Sequence, residues 1–217
     1  MTRRLPIVST IIVVAAALLM VRLGFWQLHR LQEKEALLAR YAANQSSPPL
    51  PFAALFPVDD HALYRRSSAT CLSVAGWTAQ AGRDRNDEPG WRHIAFCRTG
   101  AEGPGIAVDM GVSQSPAMPT TWHGGPVRGR ITWLPSDAPL IARIFHRLPP
   151  PSPMIVSEMA APGLTPSAQP DPSAIPNNHL SYAVQWFSFA AIALVIYGIA
   201  LWQRARKLDD DPGNRRS

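Results

Sequence analysis

Across 217 residues (23.7 kDa) the chain is 47% hydrophobic and 17% charged, with 22 Pro and a formal net charge of +6. The length suits one ordinary domain plus accessory segments, and the apolar content excludes a disordered chain. Residues 24–181 hold 13 Lys+Arg against 12 Asp+Glu, so the basic excess lies at the two ends; a duplex binder needs its cations clustered on the folded body, and nucleic acid is excluded as a partner.

The first predicted element is a membrane helix. Residues 5–21 carry no charge, and a bilayer core of about 30 Å needs about 20 helical residues. Continuing through Leu23, Gly24, Phe25 and Trp26 completes the span and places an aromatic at headgroup depth. Arg3 and Arg4 before an apolar run also open a signal peptide. No small-residue cleavage site precedes a polar stretch, so a retained anchor over 5–26 is expected, preceded by a cytoplasmic tail at 1–4. A helical extension follows over 27–41, where Trp26, Arg30 and Lys34 recur at four-residue spacing. Two cations on one helix face repel each other and would welcome an anion; lipid headgroups and Glu33 are simpler partners than a cofactor's carboxylates.

Residues 42–147 read as an exported β-rich domain, barrel-like or an open antiparallel sheet. Short apolar runs at 70–77, 91–99, 105–112 and 127–134 are separated by Gly, Pro, Asn and Asp. If the first two runs form a hairpin, one register faces Cys71 with Cys97 and Trp77 with Trp91. Facing Cα atoms are within disulfide range, and an exported compartment permits oxidation. Two separate buried thiols are the alternative. Proline crowds 148–177, which reads as an extended linker returning the chain to the membrane.

A second membrane helix is expected over 178–203, since residues 180–203 are uncharged, followed by a cytoplasmic tail at 204–217. Arg204, Arg206 and Lys207 after it, with Arg3 and Arg4 before the first span, put both termini in the cytoplasm. Arg outnumbers Lys 19 to 2, a hint of GC-rich coding that favours a bacterial inner membrane, as does the lack of a transit peptide.

Motifs for catalysis are missing: there is no phosphate loop, no Gly-x-Ser-x-Gly, no Cys-x-x-Cys and no His-Glu-x-x-His. The chain is read as a non-enzyme. Asp59, Asp60 and His61 read as solvated surface, and His93, His123 and His146 as hydrogen-bonded structural residues. His179 stands apart. An Asn cap puts it in the first turn of the second span, at the outer membrane surface, on one stripe with Tyr182, Ala183 and Trp186. The positive end of the helix dipole leaves an imidazole lone pair available there. An imidazole beside flat aromatics suits axial ligation of a haem iron, although Tyr and Trp are also routine in an interfacial belt.

Two segments carry a family likeness: Leu23-Gly24-Phe25-Trp26-Gln27-Leu28-His29-Arg30-Leu31-Gln32-Glu33-Lys34 and Asn177-Asn178-His179-Leu180-Ser181-Tyr182-Ala183-Val184-Gln185-Trp186-Phe187. With them the chain resembles the Surfeit locus protein one family of cytochrome c oxidase assembly factors. Gly76-Trp77 and Gly90-Trp91 look like pieces of that family's strands. Ala107-Val108-Asp109-Met110-Gly111-Val112 departs from the Asn-Arg-Gly-aromatic pattern the family usually has there. The resemblance implies a non-enzymatic role: holding haem a and helping deliver it to oxidase subunit I, alongside other assembly factors. It implies His179 as iron ligand; Tyr182 and Trp186 are placed beside it by helical spacing, and Trp26 and Arg30 on the facing helix. The competing reading is a cofactor-free scaffold that steadies an oxidase subunit during assembly.

Overall fold

The computed structural model describes residues 6–55, 58–100, 105–117, 121–135 and 151–209. Arg3, Arg4, His146, the first residues of the expected linker and the tail beyond 209 lie outside them. The chain divides into two units: Met1–Leu37 with Pro176–Ser217, and Leu38–Ile175.

The first unit is a helix pair. Helix α1 runs Ile7–Ser46 and α2 runs His179–Asp209; both are long and apolar enough to cross a bilayer. Past Trp26, α1 continues because Leu, Gln, Glu, Ala and Arg dominate 27–43, all good helix formers. It stops where Pro48 and Pro49 exclude helical backbone before them. Asn178 starts α2, its carbonyl taking the first helical bond from the Tyr182 N–H at 3.2 Å. Arg206 and Lys207 close the last turn, where cations suit the helix dipole; the Arg206 guanidinium also stacks on Trp202 at 4.3 Å.

A seven-residue repeat of small side chains brings the helices together. Ala17, Ala183 and Ala190 are buried, as is Gly24. A Cβ on Gly24 would stand 2.6 Å from a ring carbon of Phe187, so the glycine admits that ring. Phe25 meets Phe187 edge to face at 5.3 Å. Small residues permit the close approach that drives association in lipid, where apolar burial gives no advantage. Thr10 and Tyr197 tie the other end through their hydroxyls at 2.6 Å.

The second unit is built on seven strands: β1 Leu50–Pro51, β2 Arg66–Cys71, β3 Ser73–Arg83, β4 Pro89–Arg98, β5 Ile106–Ser113, β6 Gly125–Trp133 and β7 Pro153–Ser157. They lie in one sheet in the order β1-β2-β6-β7-β5-β4-β3. The sheet is mixed and unclosed rather than purely antiparallel: β1 runs parallel to β2 and β5 parallel to β7. The core gathers Ile94, Ala107, Met154 and Val156, with Leu134 packed on them. From Ile106 to Val112 every β5 residue is buried, which is why that strand shows no polar alternation and is apolar but for Asp109.

Two expectations are corrected. The proline-rich stretch is no mere linker, because β7 sits between β5 and β6 at the heart of the sheet. Pro153 opens the strand, where its missing N–H is tolerated, and Met154, Ile155 and Val156 supply buried β-forming side chains. Gly129 on β6 makes room for it, since any Cβ there would collide with the Val156 carbonyl. The hairpin register also differs: Trp77 faces Ala95 and Trp91 faces Ala81. The run at 70–77 breaks at Leu72, where the chain leaves its pairing with β6 and takes up β4. A bulge between Val74 and Gly76 shifts the register again.

Cys71 and Cys97 are nevertheless joined, with Cα atoms 5.2 Å apart. The bond clasps the end of β2 to β4, strands that the sheet order separates. Closing a loop of sequence separation 26 is worth about 3.5 kcal/mol through the unfolded chain.

Candidate functional site

His179 is the first residue of α2, half-buried, and its Nδ1 lies 2.7 Å from Oε1 of Gln27 on α1. A carboxamide oxygen only accepts, so this pairing puts the proton on Nδ1 and the lone pair on Nε2. Ala183, one turn along, is 1% exposed in the helix seam. Trp186 is half-buried and meets Phe189 edge to face at 6.3 Å, while Tyr182 is 51% exposed. The predicted stripe of His179, Tyr182 and Trp186 therefore lies at one border of the seam.

Trp26 and Arg30 are not brought to that imidazole. The α1 residue that faces His179 is Gln27, and Trp26 lies about 100° around the helix from it; Trp26 is 52% exposed. Arg30 pairs with Glu33 at 2.5 Å, and His29 reaches the same carboxylate at 3.2 Å. The duller partner for the basic stripe is thus the one present. Among the described residues, no hydrogen bond, ion pair or ring contact joins Trp26 or Arg30 to His179, Tyr182 or Trp186. The four-residue spacing of Trp26, Arg30 and Lys34 marks a different face of α1 from the one that meets His179. The seven-residue spacing of Thr10, Ala17 and Gly24 is the signal for the face that packs on α2.

Could these residues hold a haem? An imidazole with one nitrogen anchored and the other free is the donor such an iron takes, and the aromatic stripe lies beside it on a lipid-length helix. Among the described residues no cluster of three or more His, Cys, Asp or Glu could hold a separate metal ion. Asp59 and Asp60 serve the fold: Asp59 Oδ1 accepts the His61 N–H at 2.9 Å, and Asp60 accepts the Tyr41 hydroxyl at 3.0 Å. Burial and that bond push the Tyr41 phenol up to about 12.

The sheet holds a second buried polar group that sequence reading did not single out. Asp109 on β5 is fully buried; it accepts from Ser167 Oγ at 2.7 Å and the Gly111 N–H at 3.0 Å, and faces Arg92 Nε at 3.0 Å. Burial pushes its carboxyl above the usual range, against the pull of Arg92, Ser167 and Gly111. It ties β5 to β4 and to the segment after β7, and lies remote in sequence from any motif that suggested chemistry.

His93 is also fully buried, with Nε2 2.8 Å from Ser113 Oγ. Burial lowers its pKa, opposed by a bond with the Ser115 backbone. In the folded state it therefore resists protonation that the unfolded chain accepts near pH 6.5. As pH falls below that value the unfolded state binds the extra proton, and stability is lost at up to about 1.4 kcal/mol per pH unit. Urea unfolding of the purified protein between pH 7 and 5, followed by Trp fluorescence, should show this slope, and His93→Gln should flatten it. An unchanged slope in the variant would assign the loss to other groups.

The sequence model of the SURF1 family matches residues 14–191, most of the chain and both membrane-edge motifs. The chain belongs to the SURF1 family. That membership is consistent with a role in cytochrome c oxidase assembly, and the two membrane-length helices flanking a β domain are consistent with a multi-pass membrane topology. A search of curated proteins finds no match.

Proposed function

We propose that this SURF1-family protein is a non-enzymatic assembly factor that binds haem a and helps deliver it to subunit I of cytochrome c oxidase, working with other assembly factors. Haem a supplies the iron; His179 supplies the axial nitrogen through Nε2. Tyr182 and Trp186 flank the ring on the lipid side. Trp26 and Arg30 belong to the proposal as peripheral groups of α1, where the Arg30 guanidinium, now paired with Glu33, would supply positive charge for a propionate. The setting is a bacterial inner membrane, with both termini cytoplasmic and the β domain periplasmic.

The observation that carries this reading is the Gln27–His179 bond at the start of an apolar helix. A half-buried imidazole in a seam of small residues needs a reason, and a single axial bond would suit a carrier that must release its cargo. The test is to purify the protein from cells that make haem a and record its spectrum. A Soret band is expected. A colourless protein that still co-purifies with the oxidase would replace the carrier by the cofactor-free scaffold.

A further inference from the structure

The geometry points to Gln27 as the residue that positions the haem-binding imidazole, fixing the tautomer and orientation of His179 from the opposite helix. This rests on the reading of His179 as an iron ligand. It draws on the same contact: the Gln27 carbonyl oxygen lies 2.7 Å from Nδ1, and Nδ1 is the nitrogen that an Nε2-ligating histidine must keep protonated. Metal-bound histidines as a rule donate the other ring N–H to a carbonyl or carboxylate, which orients the ring and raises its basicity.

The surroundings hold Gln27 to that task. It is half-buried in α1, three residues beyond Gly24, where the absent side chain lets the two helices close on Phe187. At the far end of the seam the Thr10–Tyr197 bond fixes the helix register independently. Gln27 is therefore not needed to align the pair, and the pair presents its carboxamide to one partner. Among the described residues the neighbouring Trp26 and Arg30, more than half exposed, have no such partner on α2.

The experiment compares wild type, Gln27→Leu, Gln27→Glu and His179→Ala as full-length proteins in detergent, titrated with haem a. Affinity, the midpoint potential of the bound haem and its iron–nitrogen stretching frequency are the readouts. Gln27→Leu is expected to weaken binding about 10- to 100-fold, as other losses of such partners do, and to shift the stretch to lower frequency. Gln27→Glu, which keeps an acceptor and adds charge, is expected to restore affinity and lower the potential below wild type. Wild-type affinity, potential and stretch in Gln27→Leu would overturn the inference. Should Gln27→Leu fail to accumulate, Gln27→Glu decides: a lowered potential supports the role and an unchanged one removes it. His179→Ala separates the two levels. Haem loss there with a silent Gln27→Leu sinks only the positioning role, whereas haem retention in His179→Ala sinks the ligand reading beneath it.

Discussion

His179→Ala is expected to yield a folded, membrane-inserted protein with no Soret band, in cells whose cytochrome c oxidase activity drops to the level of a deletion strain. The fold should survive because the imidazole contributes one hydrogen bond, to Gln27, worth about 1 kcal/mol. The seam itself depends on Ala17, Gly24, Ala183 and Ala190, which the change leaves alone. The cofactor should not survive, since no other imidazole of the described residues shares that stripe. His29 is engaged with Glu33, and His93 is sealed inside the sheet. Haem content per protein in matched purifications, with oxidase activity of the membranes, checks both halves.

Asp109→Ala is expected to act on the other unit and to act harder. The carboxylate has no exposure, and Arg92, its partner, is only 19% exposed. Removing one member of a buried pair leaves the other charge uncompensated, at a cost of about 3–5 kcal/mol. Ser167 and the Gly111 N–H lose their acceptor in the same step. Against a total stability of about 5–15 kcal/mol for a domain of this kind, the variant should accumulate poorly and unfold at much lower urea. Asp109→Asn, which keeps the Oδ1 acceptor shared by Ser167 and Gly111, should fall between wild type and Asp109→Ala. Wild-type urea midpoints for Asp109→Ala would mean that Arg92 finds solvent once its partner is gone.

How much of this could be read from the residues depends on whether the signal is local. Two uncharged stretches, the first carried to membrane length by continuing to Trp26, needed little more than counting, and the Asn178 start of α2 followed from cap chemistry. The Cys71–Cys97 pairing was reached with the wrong register, because an index sum assumes one unbroken strand and cannot register the break at Leu72. Strand β7 was hidden by its surroundings: proline frequency over 148–177 outweighed the short run Met154, Ile155, Val156, whose place is set by non-local pairing with β5 and β6. Asp109 lies in a segment that departs from the family pattern by its missing Arg and aromatic, and only burial reveals it as the centre of a polar network.

The candidate site divides the same way. His179 and its aromatic neighbours lie on one helix, so spacing alone grouped them. The partner across the seam depends on how α1 is rotated, and there a period of four in the charged residues competed with a period of seven in the small ones. The small residues prevail because close approach requires them, whereas Arg30 can be satisfied within its own helix by Glu33.

The most direct test is chemical rescue of His179→Gly. Purified without haem and given haem a, the variant should remain unbound; adding free imidazole should restore a Soret band whose intensity rises to saturation, the small molecule filling the space of the lost ring and supplying its nitrogen. Full haem binding by His179→Gly with no imidazole present would contradict the account, because the iron would then have taken its ligand elsewhere.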